Sequence, residues 1–366
     1  MGQKIKVLMC GSDLKSVKGG MVTVARNYLV CDLWEKSDIH YISTHREGGK
    51  VAKSFWFAFA CIRILAILIL RRTDVVHLHV AERGSFYRKS MLVIFCKRFH
   101  IPVILHHHGA EFEDFYEKLR PSLKKYVKRI LEEADLNLVL SKELQRRLLQ
   151  KASDARVEVL NNAVNAKDKN PYLREGHDRI LMLGIQGKRK GSYDLLEALA
   201  EIENRLPANL KVWMCGDGEI EQIKERALHL GLDGRVEHIG WIFEREREEC
   251  FSRAIMHVLP SYREALPMSI LETMGNGIPN ISTSVASIPE VIKDGENGYL
   301  IEPGDIKRLG ECILKLACDE RLRKEFSVKS HALIKRKFSL EVCVVKLEQL
   351  YQELYEKSKR RLVKIN

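Results

Sequence analysis

Residues 260–290 read PSYREALPMSILETMGNGIPNISTSVASIPE, and the elements packed into this stretch decide what kind of fold the chain forms. The apolar run Ile255 to Leu259 stops at Pro260-Ser261. A short polar loop carries Glu264, Pro267 stands where a first helical residue belongs, and Leu271, Met274 and Ile278 follow at helical spacing. Strand, loop and helix in that order are the repeating unit of a parallel sheet. Proline has no N–H to lose, so the free donors at the helix start are those of Met268 and Ser269; with the helix dipole they make a seat for a phosphate. At about 1.5 Å of rise per residue, Glu272 stands roughly 7 to 8 Å up the helix from Pro267, while Glu264 stays in the loop. Two acceptors flank one anion seat, an arrangement that suits a nucleoside diphosphate-sugar with its ribose at Glu272 and its sugar hydroxyls at Glu264. For an isolated pair at this spacing, the plainer reading is two solvated glutamates.

The context argues for the sharper reading. Continued as IPEVIKDGENGYLIEPGD (288–305), the stretch resembles the donor-binding signature of the retaining family 4 glycosyltransferases, as found in bacterial capsule and exopolysaccharide synthesis. The resemblance extends over nearly the whole chain. It implies the glycosyltransferase-B fold, two Rossmann-like doubly wound α/β domains facing across a cleft, with the nucleotide-sugar held mainly by the second. It also implies that Leu266, Pro267, Met268 and Ser269 line the donor together with Glu264 and Glu272. No D-x-D motif occurs, so no metal and no cofactor is expected beyond the substrate itself, a UDP-sugar in preference to a GDP-sugar.

At 366 residues and 45% hydrophobic content, the chain can form two domains, each with its own core. Nine cysteines show no C-x-x-C pair and several fall in apolar patterns, which reads as reduced core residues of a cytosolic protein without a zinc site. The net charge of +12 lies entirely in the first half: residues 1–175 carry 31 Lys+Arg against 19 Asp+Glu, and residues 176–366 carry 30 against 30. Basic side chains concentrate around SFWFAFACIRILAILILRR (54–72), which points to an anionic surface. The apolar run from Phe55 to Leu70 is 16 residues, interrupted by Arg63, short for a spanning helix and too far from the start for a signal peptide. It reads as a core helix of the first domain, with room for one face at a membrane interface.

KIKVLMC (4–10) is a buried first strand, followed by the loop GSDLKSVKGG and a helix from about Met21 to Leu33. Gly19 and Gly20 sit at that helix start, and the resemblance places them beside the donor phosphates. Strands are expected at Ile39–Ser43, Val75–His79, Val103–His106, Leu136–Leu140 and Val157–Leu160, separated by helices, which argues a parallel sheet with its ligands at the strands' carboxyl ends. Two of those ends are histidine-rich, VVHLHVAERGS (75–85) and ILHHHGAEFEDF (104–115). Consecutive histidines on a strand alternate faces and cannot all ligate one ion. The resemblance instead puts His108 under the transferred sugar and Gly109 in close backbone approach; His106 is a second candidate contact, and His107 reads as structural. The polar run NAKDKNPYLREGHD (165–178) has the composition of a linker.

The second domain opens with RILML (179–183) and the loop GIQGKRKGSYDLLEAL, where Gly184, Gly187 and Gly191 allow tight turns and Lys188, Arg189 and Lys190 gather positive charge before a helix. Members of the resembled family usually carry G-R-L-x-x-x-K-G here, with Arg and Lys on the diphosphate. This chain keeps Gly184, Lys190 and Gly191 but has Ile185 in place of the arginine, which Lys188 or Arg189 would have to replace. Asp217, after the next strand, and Trp241, after VEHIG, are placed to meet a nucleobase, or else are a turn aspartate and a packing tryptophan.

These readings divide the chain into an acceptor domain (1–165), a linker (166–178), a nucleotide-sugar domain (179–340) and a C-terminal helix (341–366) crossing back to the first domain. The implied reaction is retaining hexosyl transfer to a hydroxyl of a saccharide acceptor, with His108, Lys190 and Glu264 as the reacting-centre residues. The basic first half suggests a lipid-linked acceptor, an anionic membrane surface as partner, and a cytoplasmic location at the inner face of the plasma membrane. A non-catalytic nucleotide-sugar binder that partners another transferase is the alternative, motivated by Ile185. Nucleic-acid binding is disfavoured, since no aromatic-interleaved basic motif is present.

Overall fold

The computed structural model describes residues 4–173, 176–242 and 244–365. They form two compact units, Met1–Ala163 with Leu340–Asn366, and Val164–Ser339.

The first unit runs β1 (Ile5–Ser12), α1 (Gly20–Val30), β2 (Ser37–His45), α2 (Lys50–Ile69), β3 (Val75–Val80), α3 (Gly84–Arg98), β4 (Val103–His107), α4 (Phe112–Glu117), α5 (Pro121–Glu133), β5 (Leu136–Val139), α6 (Lys142–Lys151) and β6 (Val157–Val159). Its six strands are parallel in the order β2-β1-β3-β4-β5-β6. Every residue of β3 is buried, as a parallel sheet covered on both faces requires.

The second unit runs β7 (Arg179–Leu183), α7 (Ser192–Ile202), β8 (Lys211–Cys215), α8 (Ile220–His229), β9 (Val236–Gly240), α9 (Glu244–Arg253), β10 (Ala254–Leu259), α10 (Met268–Gly275), β11 (Asn280–Thr283), α11 (Ile288–Val291), β12 (Gly298–Ile301), α12 (Ile306–Cys318) and α13 (Glu320–Lys337). Its sheet is also parallel, in the order β12-β11-β10-β7-β8-β9. The chain winds outward in one direction from β7 and in the other from β10, and these two strands are hydrogen-bonded neighbours. The doubly wound α/β class read from the sequence is therefore the architecture of both units.

The boundaries differ in one respect. The segment read as a linker belongs to the second unit: Tyr172 is buried and its hydroxyl donates to the Ile255 carbonyl at 2.7 Å, and Asn170 Nδ2 donates to Ser327 Oγ at 2.8 Å. Polar composition marks a chain without a helix or strand, but not whether it packs. The final helix, α14 (Leu340–Ile365), groups with the first unit, where Tyr351 is fully buried and stacks on Trp34.

Two further expectations are modified. The helix α2 extends over 20 residues, longer than the apolar run suggests, and is long and apolar enough to cross a membrane by length and composition. It buries Ala60, Cys61, Ile64 and Leu68 on one face and leaves Val51, Phe55, Phe59, Ile62 and Ile69 exposed on the other. It is thus a core helix by one face only. Of the nine cysteines, all free, seven are buried, but Cys318 is exposed and Cys31 is intermediate.

Candidate functional site

In the second unit, the loops leaving β7 and β10 emerge side by side at the carboxyl ends of the two strands where the sheet reverses its winding, the place at which sheets of this kind bind their ligands. The β7 loop carries Gly184, with φ of 146°, then a short 3-10 turn, Lys188–Lys190, and Gly191 in the left-handed region at φ of 74°. A Cβ on Gly191 would lie 2.1 Å from the Pro260 carbonyl oxygen, so only glycine lets the two loops meet. That contact brings together two residues 74 apart in sequence: Lys190 Nζ donates to Glu264 Oε1, which also accepts from Ser261 Oγ at 2.9 Å. Both side chains are largely buried, 12% and 7% exposed. The sequence reading gave Lys190 to the diphosphate and Glu264 to the sugar; the fold couples the two.

The helix α10 starts one residue later than expected. Pro267 is its N-cap, with extended backbone, and Met268 is the first helical residue. This correction leaves the N–H groups of Met268 and Ser269 at the head of the helix, in the turn whose donors have no acceptor within the helix. Leu266 and Met268 are buried behind it. Farther up, Glu272 is paired with Arg247 of α9, a residue the sequence reading missed. Burial pushes the Glu272 carboxyl above its usual range, and Arg247 opposes that shift.

The candidates for the absent arginine differ in their surroundings. Arg189 Nη1 donates to the Arg263 carbonyl at 3.0 Å and its own carbonyl accepts from Tyr262 N–H at 2.9 Å, so it clamps the two loops. Lys188 is exposed, and Ile185 is 57% exposed. Asp217 lies exposed after β8, with its carbonyl accepting from Gln186 N–H at 2.6 Å; Trp241 lies just beyond β9 and is 43% exposed.

In the first unit, Gly19 is the N-cap of α1, at φ of 129°, and Gly20 its first residue; no side chain caps this helix and nothing lies within 4 Å of where a Gly19 Cβ would be. The histidines form a layer on the sheet. His77 and His79 on β3 and His106 and His108 at the end of β4 share one face, with successive rings 4.2 to 5.3 Å apart. His77 Nδ1 bonds to Tyr351 OH at 2.6 Å, His77 Nε2 to His106 Nδ1 at 3.1 Å, and His79 Nδ1 to His108 Nε2 at 2.8 Å. His107 turns to the other face and Asn137. Burial holds these imidazoles neutral, with His77 and His108 pushed down to about 3 and His107 to about 4. Alternation does separate His107 from its neighbours, yet strand pairing assembles a set the sequence reading did not consider: nitrogens of His77, His79 and His106 lie within 4.8 Å of one another and could hold a metal ion. Gly109 makes room for Glu82, since a Cβ there would lie 1.9 Å from Glu82 Oε2, an oxygen that is itself buried without a partner.

Comparison with known proteins agrees with this construction. Residues 164–331 match the family described as glycosyl transferases group 1, and residues 25–168 match Glycosyltransferase Family 4. The chain belongs to these glycosyltransferases. It is 31% identical over 163 residues to the lipopolysaccharide core biosynthesis glycosyltransferase LpsE of Rhizobium meliloti, a match that spans 44% of this chain and 46% of that relative, less than half of either. Among solved structures, sucrose-phosphate synthase from Thermosynechococcus elongatus superimposes with a TM-score of 0.78 at 16% identity, over 97% of this chain and 100% of that one. HepE of Anabaena, solved in complex with UDP-glucose, superimposes with a TM-score of 0.72 at 15% identity, over 96% and 100%. The fold is that of the glycosyltransferase-B class.

Proposed function

We propose that this protein transfers a hexose, with retention at the anomeric carbon, from a nucleoside diphosphate-sugar to a hydroxyl of a lipid-linked saccharide in cell-surface polysaccharide synthesis. The observation that carries the reading is the buried Lys190–Glu264 pair beside the open N-terminus of α10, a cation and anion seat at the sheet's switch point. Lys190 and the N–H groups of Met268 and Ser269 stabilise the leaving diphosphate, Glu264 holds Lys190 and reaches the sugar hydroxyls, and Glu272 accepts from the ribose. His108 is the residue that the family resemblance assigns to the transferred sugar. The donor diphosphate is neutralised by these groups without a metal ion, and UDP is the favoured nucleotide; HepE, the structural relative, is known with UDP-glucose. The basic first half and the exposed apolar face of α2 support a peripheral position on the inner face of an anionic membrane.

The test is ligand-induced stabilisation followed by turnover. UDP should raise the melting temperature more than GDP does, and UDP-hexoses should be consumed in the presence of membrane lipid extract, with the anomeric configuration retained in the product by NMR. A second reading, a nucleotide-sugar binder without turnover, is favoured by the exposed Ile185 and the structural engagement of Arg189. Single-turnover hydrolysis of UDP-hexose separates the two, since a pure binder releases no free sugar.

A further inference from the structure

The side chain of Lys89 is buried, and among the described residues it has no counter-ion. It lies on α3 and is 2% exposed, and among the described residues its ammonium donates only to the Thr44 hydroxyl, which in turn donates to the Gly11 carbonyl at 2.9 Å. An ammonium has three N–H donors, and among the described residues no carboxylate pairs with this one. The charged groups and thiols around it are Arg88, Cys10 and Cys61, and burial lowers it to about 8. Arg88 repeats the pattern: it makes no ion pair among the described residues, and its Nε is buried with no partner. Its guanidinium lies back along the first turn of α3, 3.4 Å from where a Gly84 Cβ would be. That helix is 15 residues long and has no side-chain cap, so its first N–H groups open on the same place. Of the carboxylates nearby, Glu47 pairs with Lys53, while Glu82 lies against Gly109 with its Oε2 buried and unpartnered. A lone buried cation is costly to keep, and Lys89 stands next to the half-buried Arg88, so two positive charges without a carboxylate partner among the described residues lie side by side.

We propose that Arg88, Lys89 and the N-terminus of α3 bind a phosphoryl group carried by the acceptor. This rests on the reading of the first unit as the acceptor-binding half. Two unneutralised positive charges match a phosphate or diphosphate better than a single carboxylate. The same elements carry an apolar surface next to the site: Met91 and Ile94 are exposed on α3, and Phe55, Phe59 and Ile62 on α2, which packs against it. A phosphoryl group bonded to a long apolar chain would meet both. Arg88 makes the direct contact, and Lys89 supplies charge from behind through its reach to Thr44.

The experiment uses the full chain saturated with UDP, so that the donor seat is filled, and measures binding of farnesyl diphosphate, farnesol and inorganic pyrophosphate by calorimetry. Farnesyl diphosphate should bind and farnesol should not. Competition by pyrophosphate would show that the oxyanion is recognised by itself; a lack of competition would show that chain and oxyanion are read together. Arg88→Gln and Lys89→Met should each weaken farnesyl diphosphate at least tenfold and leave UDP affinity unchanged. Lys89→Met should also keep or raise the melting temperature, because it removes the isolated buried charge. Equal binding of farnesol and farnesyl diphosphate, or undiminished affinity in Arg88→Gln, overturns the proposal. So does a Lys89→Met protein that is less stable but binds as wild type, since lysine would then be structural. Should Lys89→Met fail to fold, Arg88→Gln decides alone. Failure of UDP itself to bind would count against the transferase reading and is recorded separately, before any acceptor probe is added.

Discussion

Lys190 and Glu264 form a buried ion pair that joins the loop after β7 to the loop after β10, with Ser261 donating to the same carboxylate oxygen. Neither loop can be moved alone without leaving one charge uncompensated. Breaking a buried pair by removing one partner costs about 3–5 kcal/mol, while replacing both is far milder. Lys190→Met and Glu264→Gln should each destabilise the protein in urea unfolding, and the double variant should recover much of the loss. Turnover should fall in all three, by about 2–4 kcal/mol in barrier where the lysine is gone. A double variant as unstable as the sum of the singles would contradict the coupling.

Gly191 tests the same junction through the backbone. Alanine at a left-handed residue, with its Cβ 2.1 Å from the Pro260 oxygen, must push the loops apart. Gly191→Ala should cost about 1–3 kcal/mol of stability and should lower kcat as Lys190 loses its place. Normal turnover with reduced stability would show that the pair does not need this register.

Glu272 gives a pH dependence of nucleotide binding. Burial raises its pKa, so the carboxylate proposed to accept from the ribose is lost as pH falls through a range above the ordinary one for glutamate. Arg247→Met removes the opposing charge and should move that inflection to still higher pH. For the free protein the sign is reversed. A raised carboxyl pKa makes the ionised form a cost at neutral pH, so Glu272→Gln should not lower the melting temperature, even as it weakens UDP by about 1.5–3 kcal/mol. Calorimetric UDP titrations from pH 5 to 8 check both statements.

The histidine layer predicts acid sensitivity. Each of His77, His79, His106, His107 and His108 is held neutral by burial and takes up a proton on unfolding. The stability they contribute is complete above the unfolded value near 6.5 and is lost as pH falls toward about 3. Each histidine adds up to about 1.4 kcal/mol per pH unit within that window. Urea midpoints should therefore drop steeply below pH 6.5, and His107→Gln should flatten the slope. A pH-independent midpoint between 7 and 5 would mean that the imidazoles are already hydrated.

Membrane association should combine two contributions. Arg71 and Arg72 are exposed at the end of α2, so vesicle binding should require acidic headgroups and weaken as salt rises; Arg71→Glu with Arg72→Glu should weaken it further. Phe55→Ser with Phe59→Ser should abolish the salt-resistant part, because those rings are 74% and 56% exposed. Sedimentation with neutral and acidic vesicles decides it, and equal binding to both kinds, or to neither, would remove the membrane from the proposal.

The succession of strand, loop and helix was legible in the sequence because its signals are local. Hydrophobic period, a proline at a helix head and glycines in loops act within a few residues, and they placed the β7 loop, the start of α10 to within one residue, and the doubly wound class. What only the tertiary structure decided is which of those parts meet. Strand order made β7 and β10 neighbours and so joined Lys190 to Glu264; it set His77 and His79 against His106; and packing brought Arg247 onto Glu272 and Lys89 of α3 onto Thr44 of β2. None of these has a periodicity to read. Each depends on contacts between segments tens of residues apart, whose energies are settled only when the sheet has assembled and the side chains have chosen partners in a medium from which water is excluded.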